Sequence, residues 1–320
     1  MNIIIITPAP KGSRSGNRAS ANRWGAIFQK LGHKVTILTN YNGEDTDFMV
    51  ALHAWRSADS IKRFSKLHPN LPLIVVLTGT DAYKFINSHR TTTILSLRKA
   101  TKIVGINNLI KNILPKNLHK KLKIIVQSAK PNLIREPLKR TFNVCFAGHL
   151  REEKDPKTLC KAIVNLPSTS KIKVNAYGKA HSKKWEKFAK DEMKKNTRFK
   201  WHGEVSQSKL RKKFSCSHIL ISSSIIEGGA NVISEAIMAG LPILASKIDG
   251  NVGLLGRDYP GFFEVRNSNS LKEKLMLAET DPKFYKKLAK SCAKLKNNFK
   301  LEKEVQEWNN LLKEIAKPKS

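Results

Sequence analysis

The sequence predicts an α/β protein with two doubly wound, Rossmann-like domains that face a cleft. Along its 320 residues, short apolar runs alternate with amphipathic stretches of helical length, a pattern typical of parallel sheets covered by helices. The alternation stops at a polar stretch, Arg135–Arg140, and then restarts. A chain of this length also exceeds what one hydrophobic core usually covers. We therefore predict two domains, with ligands beyond the carboxyl ends of their strands.

The first predicted domain, residues 1–138, contains apolar runs of strand length and amphipathic stretches of helical length. A buried parallel strand is a nearly continuous apolar run, whereas a helix repeats its apolar positions about every three or four residues. The predicted strands are Ile3–Thr7, Lys34–Thr39, Asp47–Leu52, Leu73–Thr78, Lys102–Gly105 and Lys123–Val126. The predicted helices are Asn17–Leu31, Ser57–His68, Thr91–Ala100 and Asn107–Leu114.

The second predicted domain, residues 139–300, repeats the same alternation. Its predicted strands are Phe142–Ala147, Lys171–Tyr177, Arg198–Trp201, His218–Ser222 and Pro242–Ala245. Its predicted helices are Pro156–Leu166, Lys183–Lys195, Gln207–Phe214 and Ala230–Ala239. In the last segment, residues 301–320, the amphipathic stretch Leu301–Ile315 predicts a helix that is a candidate to pack back onto the first domain.

Composition excludes several classes of protein. Hydrophobic residues make up 40% of the chain, enough for two packed cores, so global disorder is not expected. No apolar run approaches the roughly 20 residues that span a bilayer, and the first residues lack the basic region of a signal peptide. The four cysteines stand far apart without a Cys-x-x-Cys pair, which argues against disulfides and zinc. We predict a cytoplasmic protein without stable membrane insertion.

The formal charge of +34 raises the alternative of a basic nucleic-acid-binding protein. Its cations are mostly lysines scattered along the chain, as in the helical stretch Lys183–Lys195, where they form a solvated face. The sequence has no zinc-finger spacing, heptads or aromatic-rich strand motif. Compositional bias with modest steering of anionic ligands is therefore favoured, and no specific nucleic-acid partner is expected.

The first polar cluster follows the first predicted strand. Gly12 and Gly16 allow a ligand to approach the backbone, and the next helix offers free N–H groups to an anion. Arg14 and Arg18 add guanidinium groups suited to phosphate oxygens, with Asn17 between them. The spacing fits neither a Walker loop nor a dinucleotide fingerprint. An anion site is favoured here over a polar turn, its simplest alternative.

Two further clusters follow strands of the second predicted domain. Arg151 and Lys154 lie near a helix start, where a diphosphate can be neutralised, although such cations are often only solvated. Glu227 and Glu235 are carboxylates that can accept hydrogen bonds from the hydroxyls of a sugar and a ribose. Gly228 and Gly229 expose amides between them, complementing a diphosphate. The alternative makes Glu227 an N-terminal helix charge and Glu235 a surface residue.

These residues carry a resemblance to a known family. Glu227–Glu235, followed by Ala236–Ser246, resembles the E-x7-E signature of GT-B glycosyltransferases, family four. Gly148–Lys154 resembles the G-R-x-x-x-x-K phosphate clamp of that family, with His149 where its Arg is expected. The resemblance extends over essentially the whole chain and implies a GT-B fold.

A narrower resemblance is to the selenosugar synthases of selenoneine biosynthesis. The stretches that carry it are Gly12–Arg14, Gly16–Arg18, Ala51–Ala54, Arg56–Ala58, Leu77–Asp81, Gly148–Arg151, Lys154–Pro156, Gly228–Val232 and Gly250–Gly261. The resemblance implies a hexosyltransferase that moves a sugar from a UDP-sugar to selenophosphate, giving a 1-selenosugar, UDP and phosphate. Its implied partners are these two small-molecule substrates. It implies no cofactor and no metal.

The resemblance also implies roles for individual residues. Glu235 would hold the ribose, and Lys154 would clamp the diphosphate, with Arg151 compensating for His149. Glu227 would hold the donor sugar together with the amides of Gly228, Gly229, Ala230 and Asn231. The acceptor side would be formed by Gly12, Arg14, Asn17 and Arg18, because selenophosphate is an anion.

The first domain departs from the family pattern at the position where a catalytic histidine is expected. Family members with hydroxyl acceptors commonly carry a His before a Gly-x-Asp turn, and here Thr78 precedes Gly79-Thr80-Asp81. An anionic selenium nucleophile needs no such base. His53, at another strand end, is a candidate acid–base group or a structural histidine.

The alternative enzyme is a peripheral-membrane glycosyltransferase with a lipid or oligosaccharide acceptor. The sequence does not predict the donor sugar, the anomeric outcome or the oligomeric state.

Overall fold

A computed structural model describes residues 1–13, 15–131 and 134–316. It divides into two units: Met1–Gln127 with the chain from Leu301 onward, and Ser128–Lys300. The predicted boundary after Leu138 lies inside the second unit. The reason is Arg135, whose guanidinium donates to Gly240 O at 2.8 Å and to Tyr285 Oη at 2.8 Å, both in the second unit. The predicted linker is therefore attached to that unit.

The first unit contains a parallel six-stranded sheet in the order β2-β1-β3-β4-β5-β6. Its strands are β1 (Asn2–Ile6), β2 (Lys34–Leu38), β3 (Phe48–Leu52), β4 (Leu73–Leu77), β5 (Lys102–Gly105) and β6 (Leu122–Ile124). Every residue of β3 and β4 is buried, as expected for strands covered on both faces.

The helices of the first unit include an irregular turn that the sequence did not predict. The α-helices are α1 (Gly16–Lys30), α2 (Ala58–Leu67), α3 (Ile86–Ser88), α4 (Arg90–Lys99) and α12 (Leu301–Ala316). A π-helical turn, Asp81–Phe85, precedes α3, and Asn108–Ile113 and Lys116–Lys121 are 3-10 helices. The predicted helix Asn107–Leu114 is thus a 3-10 segment.

The C-terminal helix α12 packs in the core of the first unit. The Trp308 ring lies 5.3 Å from Trp24 and 5.0 Å from Phe28, centroid to centroid, and Trp24 and Phe28 belong to α1. Trp24 Nε1 donates to Glu304 Oε1 at 2.8 Å, which satisfies a buried indole. The apolar face of α12 is therefore covered by α1.

The second unit also has a parallel six-stranded sheet, in the order β12-β11-β10-β7-β8-β9. Its strands are β7 (Phe142–Ala147), β8 (Ile172–Tyr177), β9 (Phe199–Trp201), β10 (Ile219–Ser222), β11 (Ile243–Ser246) and β12 (Phe262–Phe263). The sequence did not predict β12, because two residues are too few to form a recognisable apolar run. The prediction of two doubly wound α/β domains is confirmed.

The helices of the second unit cover both faces of its sheet and include three that the sequence left unassigned. They are α5 (Pro156–Val164), α6 (Lys183–Lys195), α7 (Gln207–Ser215), α8 (Asn231–Met238), α9 (Asp249–Leu255), α10 (Ser268–Thr280) and α11 (Pro282–Leu295). The unassigned helices are α9, α10 and α11. Asp281 caps α11 by accepting from Lys283 N and Phe284 N, and Pro282 occupies its first turn.

Candidate active site

In each unit the strand order reverses once, and the predicted clusters lie at these two positions. In the second unit β7 and β10 are neighbours, although β8 and β9 lie between them in sequence. In the first unit β1 and β3 are neighbours on either side of the same kind of reversal. Ligands of open parallel sheets bind beyond the carboxyl ends of strands at such switch points. The strand order therefore explains why the loops after β7 and β10 come together.

The loops after β7 and β10 are held together by direct hydrogen bonds. Ser223 Oγ donates to the backbone oxygens of Lys154 at 3.0 Å and Asp155 at 2.9 Å. The Ile225 N–H donates to Glu153 O at 2.9 Å. Asp155 in turn caps α5 by accepting from Thr158. These contacts fix the backbone from which Lys154 extends toward the other loop.

Lys154 and Glu227, predicted for different parts of a donor molecule, form an ion pair. Lys154 Nζ contacts Glu227 Oε1, and the two side chains are only 15% and 12% exposed. Ser224 Oγ donates to the same carboxylate oxygen at 2.8 Å. Because both charges are largely removed from water, each needs the other for compensation. The two groups are consequently held at one place beyond β7 and β10.

Gly148 gives the Lys154 side chain its path. A Cβ at Gly148 would lie 3.3 Å from both Cδ and Cε of Lys154, closer than ordinary van der Waals contact. Gly178 supports this loop from behind, because a Cβ there would overlap the Gly148 carbonyl oxygen. Next to Gly148, burial lowers the pKa of the His149 imidazole. The charged form of His149 is thus disfavoured, whereas an arginine at this position stays charged.

Arg151 is the other cation of this loop. Its Nε lies 3.8 Å from Glu153 Oε2, and both side chains are partly exposed. This is a loose ion pair, because the separation is longer than a hydrogen bond. Arg151 therefore lies in the loop where the sequence predicted a second cation, with a weaker attachment than Lys154 has.

The remaining predicted donor groups lie in the loop after β10 and in α8. Gly228 and Ala230 are buried, and Gly229 is half-buried. The helix begins at Asn231, so Glu235 lies about one turn into it and is half-buried. The predicted donor residues thus occupy two adjacent loops and the first two turns of one helix.

In the first unit, the predicted anion site is formed around the start of α1. Ser15 caps the helix by accepting from Arg18 N at 3.4 Å, and Gly12 has φ = +85° in the exposed loop. The Arg18 side chain points into the protein, since Arg18 is only 9% exposed, and Asn17 is half-buried. Arg14, predicted for the same site, lies outside the described residues.

Two buried polar atoms of this region have no hydrogen-bond partner among the described residues: Arg18 Nε and Thr7 Oγ1. Thr7 directly follows β1 and is fully buried. Buried polar groups are normally hydrogen-bonded, so both atoms are exceptions to the usual pattern. Sequence reasoning missed Thr7 because a hydroxyl at the end of an apolar strand is an ordinary feature.

His53 follows β3, where its φ is +72°. Its Nδ1 accepts from the Arg56 N–H at 3.2 Å, so the proton of the neutral ring is on Nε2, which is 3.1 Å from Thr80 Oγ1. His53 is fully buried, and burial lowers the pKa of its imidazole, with Asp81 opposing this shift. Both ring nitrogens are engaged inside the unit, which favours the structural alternative.

Asp81 joins the loops after β3 and β4. Its carboxylate accepts from Ala54 N at 3.0 Å, from Thr78 N at 2.9 Å and from Gly79 N at 2.9 Å, and it is fully buried. Thr78 Oγ1 donates to it as well, at 3.2 Å. Asp81 thus holds two strand ends together. Its two carboxylate oxygens accept four hydrogen bonds from the same unit, which fits a structural role.

The described residues form neither a metal-binding cluster nor a membrane-spanning helix. Within residues 1–13, 15–131 and 134–316, no group of three or more His, Cys, Asp and Glu side chains is arranged to hold a metal ion. None of the helices in these ranges is long and apolar enough to cross a bilayer.

Known proteins share this architecture. Among solved structures, sucrose-phosphate synthase from Thermosynechococcus elongatus matches with a TM-score of 0.81 and 14% identity, covering 98% of each chain. The Anabaena protein HepE, in complex with UDP and glucose, matches with a TM-score of 0.78 and 14% identity, covering 98% of this chain and 100% of that one. The chain has two parallel sheets with interleaved helices, and it matches these structures over nearly its whole length. Together these findings establish the predicted GT-B fold.

Sequence comparison extends the similarity to a family. An uncharacterized glycosyltransferase of Methanocaldococcus jannaschii is 27% identical over 242 residues, which span 69% of this chain and 60% of that relative. The model of the glycosyl transferases group 1 matches residues 130–295, more than half of the chain and nearly all of the second unit. The matched region includes Lys154, Glu227 and Glu235. The chain therefore belongs to the glycosyl transferases group 1 family.

Proposed function

We propose that this chain is a glycosyltransferase that moves a sugar from a UDP-sugar to selenophosphate, forming a 1-selenosugar. The observation that carries the proposal is the pairing of Lys154 with Glu227 beyond β7 and β10. A nucleotide sugar presents an anionic diphosphate next to a ring of hydroxyl donors. A cation and a carboxylate at one place match those two adjacent requirements.

The donor is held by the second unit. Lys154 has three N–H donors, so it can keep its contact with Glu227 while it donates to a diphosphate oxygen. Glu227 accepts from hydroxyls of the sugar, and Glu235 accepts from those of the ribose. The amides from Gly228 to Asn231 lie at the start of α8, where a helix favours negative charge. The HepE complex with UDP and glucose supports a UDP-sugar as the donor class.

The acceptor is held by the first unit. Selenophosphate is a small anion with oxygens that need hydrogen-bond donors. The start of α1 supplies backbone amides, Asn17 an amide side chain, and Arg18 a buried guanidinium whose Nε has no partner among the described residues. Thr7 Oγ1 adds a buried hydroxyl that has no partner in the part of the chain that the structure describes. These donors suit an oxyanion better than a neutral sugar hydroxyl.

The chemistry requires no general base on the acceptor side. The selenium of selenophosphate is already anionic, so it attacks the anomeric carbon directly. The bond from that carbon to the diphosphate oxygen breaks, and UDP leaves with the electron pair. Water then cleaves the selenium–phosphorus bond and releases phosphate and the 1-selenosugar. Thr78 in place of a base, and the engaged ring of His53, agree with this requirement.

The direct test is mass spectrometry of the products formed by the purified protein. UDP-glucose, UDP-N-acetylglucosamine and other UDP-sugars are each mixed with selenophosphate, and inorganic phosphate replaces selenophosphate in the control. We expect a selenium isotope pattern at the mass of one 1-selenosugar, with equimolar UDP. A selenium-free glycoside formed instead from a lipid extract or an oligosaccharide would contradict the proposed acceptor.

A further inference from the structure

A series of hydrogen bonds, buried except for the last and partly buried there, connects α9 to the Glu227 carboxylate. Asn251 Nδ2 donates to Ser246 O at 2.9 Å and to Ser246 Oγ at 3.2 Å. Ser246 Oγ donates to the carbonyl oxygen of Ser224, and Ser224 Oγ donates to Glu227 Oε1 at 2.8 Å. Each side chain of the series therefore donates its hydrogen bond to the next residue in the series. The series ends at the carboxylate that the proposed function assigns to the donor sugar.

The members of this series are removed from water. Ser246 and Asn251 are fully buried, and Ser224 is 1% exposed. Hydrogen bonds in such surroundings are stronger and more rigid than at a surface. Asn251 Oδ1 is buried without a partner among the described residues, a destabilising feature. Asn251 therefore contributes hydrogen-bond donors to Ser246 that an apolar residue would lack, although its Oδ1 is left without a partner among the described residues.

Gly250 brings the start of α9 against the Glu227 backbone. A Cβ at Gly250 would overlap the Glu227 carbonyl oxygen and lie 2.6 Å from its carbonyl carbon and 3.2 Å from its Cβ. Only a hydrogen atom fits at this position. Contact with Gly250 thus positions the backbone of Glu227, and the hydrogen bonds from Asn251 through Ser246 and Ser224 position its carboxylate.

We propose that Gly250, Asn251 and Ser246 are positioning residues that set where the Glu227 carboxylate meets the donor sugar. The inference rests on the proposed function of Glu227. Lys154 is located separately, because Ser223 holds its backbone. Disturbing the series from α9 should therefore impair the contact with the sugar and leave the contacts with UDP intact.

The experiment compares four variants of the full chain. Ser246→Ala removes one hydroxyl from the series, Ser246→Thr retains it, and Gly250→Ala forces the Glu227 backbone to move. Ser217→Ala is the matched control, because this buried serine of the same unit donates to Lys213 O in α7. Calorimetry measures the binding of UDP and of the preferred UDP-sugar, and UDP release with selenophosphate gives kcat and KM.

We expect Ser246→Ala to lower kcat on the order of tenfold to a hundredfold, the effect of a small misplacement of a contact group. Binding of UDP should match that of the wild type, while the extra affinity for UDP-sugar over UDP is lost. Ser246→Thr should restore kcat, Gly250→Ala should show the larger loss, and Ser217→Ala should behave as the wild type. Equal weakening of UDP and UDP-sugar, or unchanged kcat in Ser246→Ala, would overturn the inference.

Failure of the proposed function has a different signature. A wild type that binds no UDP-sugar contradicts the proposed donor, and hydrogen exchange then decides the positioning role. Amide exchange from Ser224 to Glu227 should accelerate in Ser246→Ala and stay unchanged in Ser217→Ala. If Ser246→Ala leaves that exchange unchanged, the positioning role is contradicted as well. The kinetics of Gly250→Ala are used only if its thermal unfolding stays cooperative. If it does not, the test rests on Ser246→Ala alone.

Discussion

The two switch points of this protein satisfy their buried cations in opposite ways. Beyond β7 and β10, Lys154 is paired with Glu227, and Ser224 donates to the same carboxylate. Beyond β1, Arg18 is more buried than Lys154, yet its Nε has no hydrogen-bond partner among the described residues. The same position in the two sheets thus carries a balanced pair in one unit and, within the described residues, a guanidinium Nε without an acceptor in the other.

This difference relates to the two proposed ligands. A nucleotide sugar brings both negative charge and hydroxyl donors, so its site needs a cation and a carboxylate together. A small oxyanion brings acceptors only, and a carboxylate beside it would repel it. The second unit is therefore suited to the donor and the first unit to the anionic acceptor. Variants that change one region and leave the other intact test this assignment.

The largest effect is expected from Glu227→Gln. The amide keeps an oxygen for Ser224 and Lys154 but loses the charge that strengthens hydrogen bonds to the sugar. We expect kcat to fall about a hundredfold to a thousandfold, as for the loss of a main electrostatic contact. UDP release is the measurement, with thermal unfolding to check the fold. The matched control is Glu186→Gln, an exposed glutamate of α6, and comparable activity of the two variants would contradict the sugar-holding role.

Lys154→Met tests the cation of the same pair. The methionine fills the path of the lysine stem but leaves Glu227 unpaired next to the diphosphate. We expect the affinity for UDP to fall about a hundredfold, and the affinity for uridine to stay the same, because one charge-assisted hydrogen bond contributes about 1.5–3 kcal/mol. Titration calorimetry with both ligands measures this. Lys187→Met, at an exposed lysine of α6, is the control, and a parallel loss of uridine affinity would point to a misfolded site instead.

Arg18→Ala tests the first unit. We expect the KM for selenophosphate to rise at least about tenfold, since a buried charged donor is removed, while UDP affinity stays at the wild-type value. Initial rates at saturating UDP-sugar give the KM, and calorimetry gives the UDP affinity. Lys30→Ala changes an exposed cation at the other end of α1 and should change neither quantity. Equal loss of both in Arg18→Ala would remove the distinction between the two regions.

The smallest effect is expected from His53→Asn. Asparagine tolerates the positive φ at this position and offers an oxygen to the Arg56 N–H in place of Nδ1. We expect the rate to fall less than about tenfold, whereas loss of a general acid–base group costs about a hundredfold or more.

The same variant should also change the pH dependence of stability. Since the folded pKa of His53 is lowered, its neutral form favours the native state above the ordinary pKa of 6.5. That contribution is lost as the pH falls below this value. The decrease of Tm on acidification should therefore be smaller in His53→Asn than in the wild type. A steep loss of activity with an unchanged pH profile of Tm would instead support a catalytic role.

The sequence predicted the fold well where local patterns determine it. Lys102–Gly105 and Phe142–Ala147 have the predicted bounds, because each is a short apolar run between polar residues. The helix α9 was not predicted, since the glycines in Asp249-Gly250-Asn251-Val252-Gly253 give no helical signal. Its glycine at position 250 is explained by a contact with Glu227, which no local pattern contains.

The candidate site was predicted in part for the same reason. Lys154 and Glu227 were each identified from residues around them, but their pairing depends on β7 and β10 being neighbours. Thr7 and Ser246 had no local signal, because a buried hydroxyl becomes notable only when its partners are known. The attachment of Arg135 to the second unit is likewise a tertiary contact. Strand order and side-chain pairing are thus the information that the sequence pattern lacked.

The central claim is that an anionic selenium nucleophile is the acceptor, and the rate of UDP release tests it most directly. The purified wild type is mixed with its preferred UDP-sugar and either selenophosphate, inorganic phosphate or buffer alone. We expect rapid UDP release with selenophosphate and only background release in the other two mixtures. In the Arg18→Ala variant, the KM for selenophosphate in this release reaction should be higher than in the wild type. Equal release in all three mixtures, or release that requires a lipid or oligosaccharide, would contradict the account.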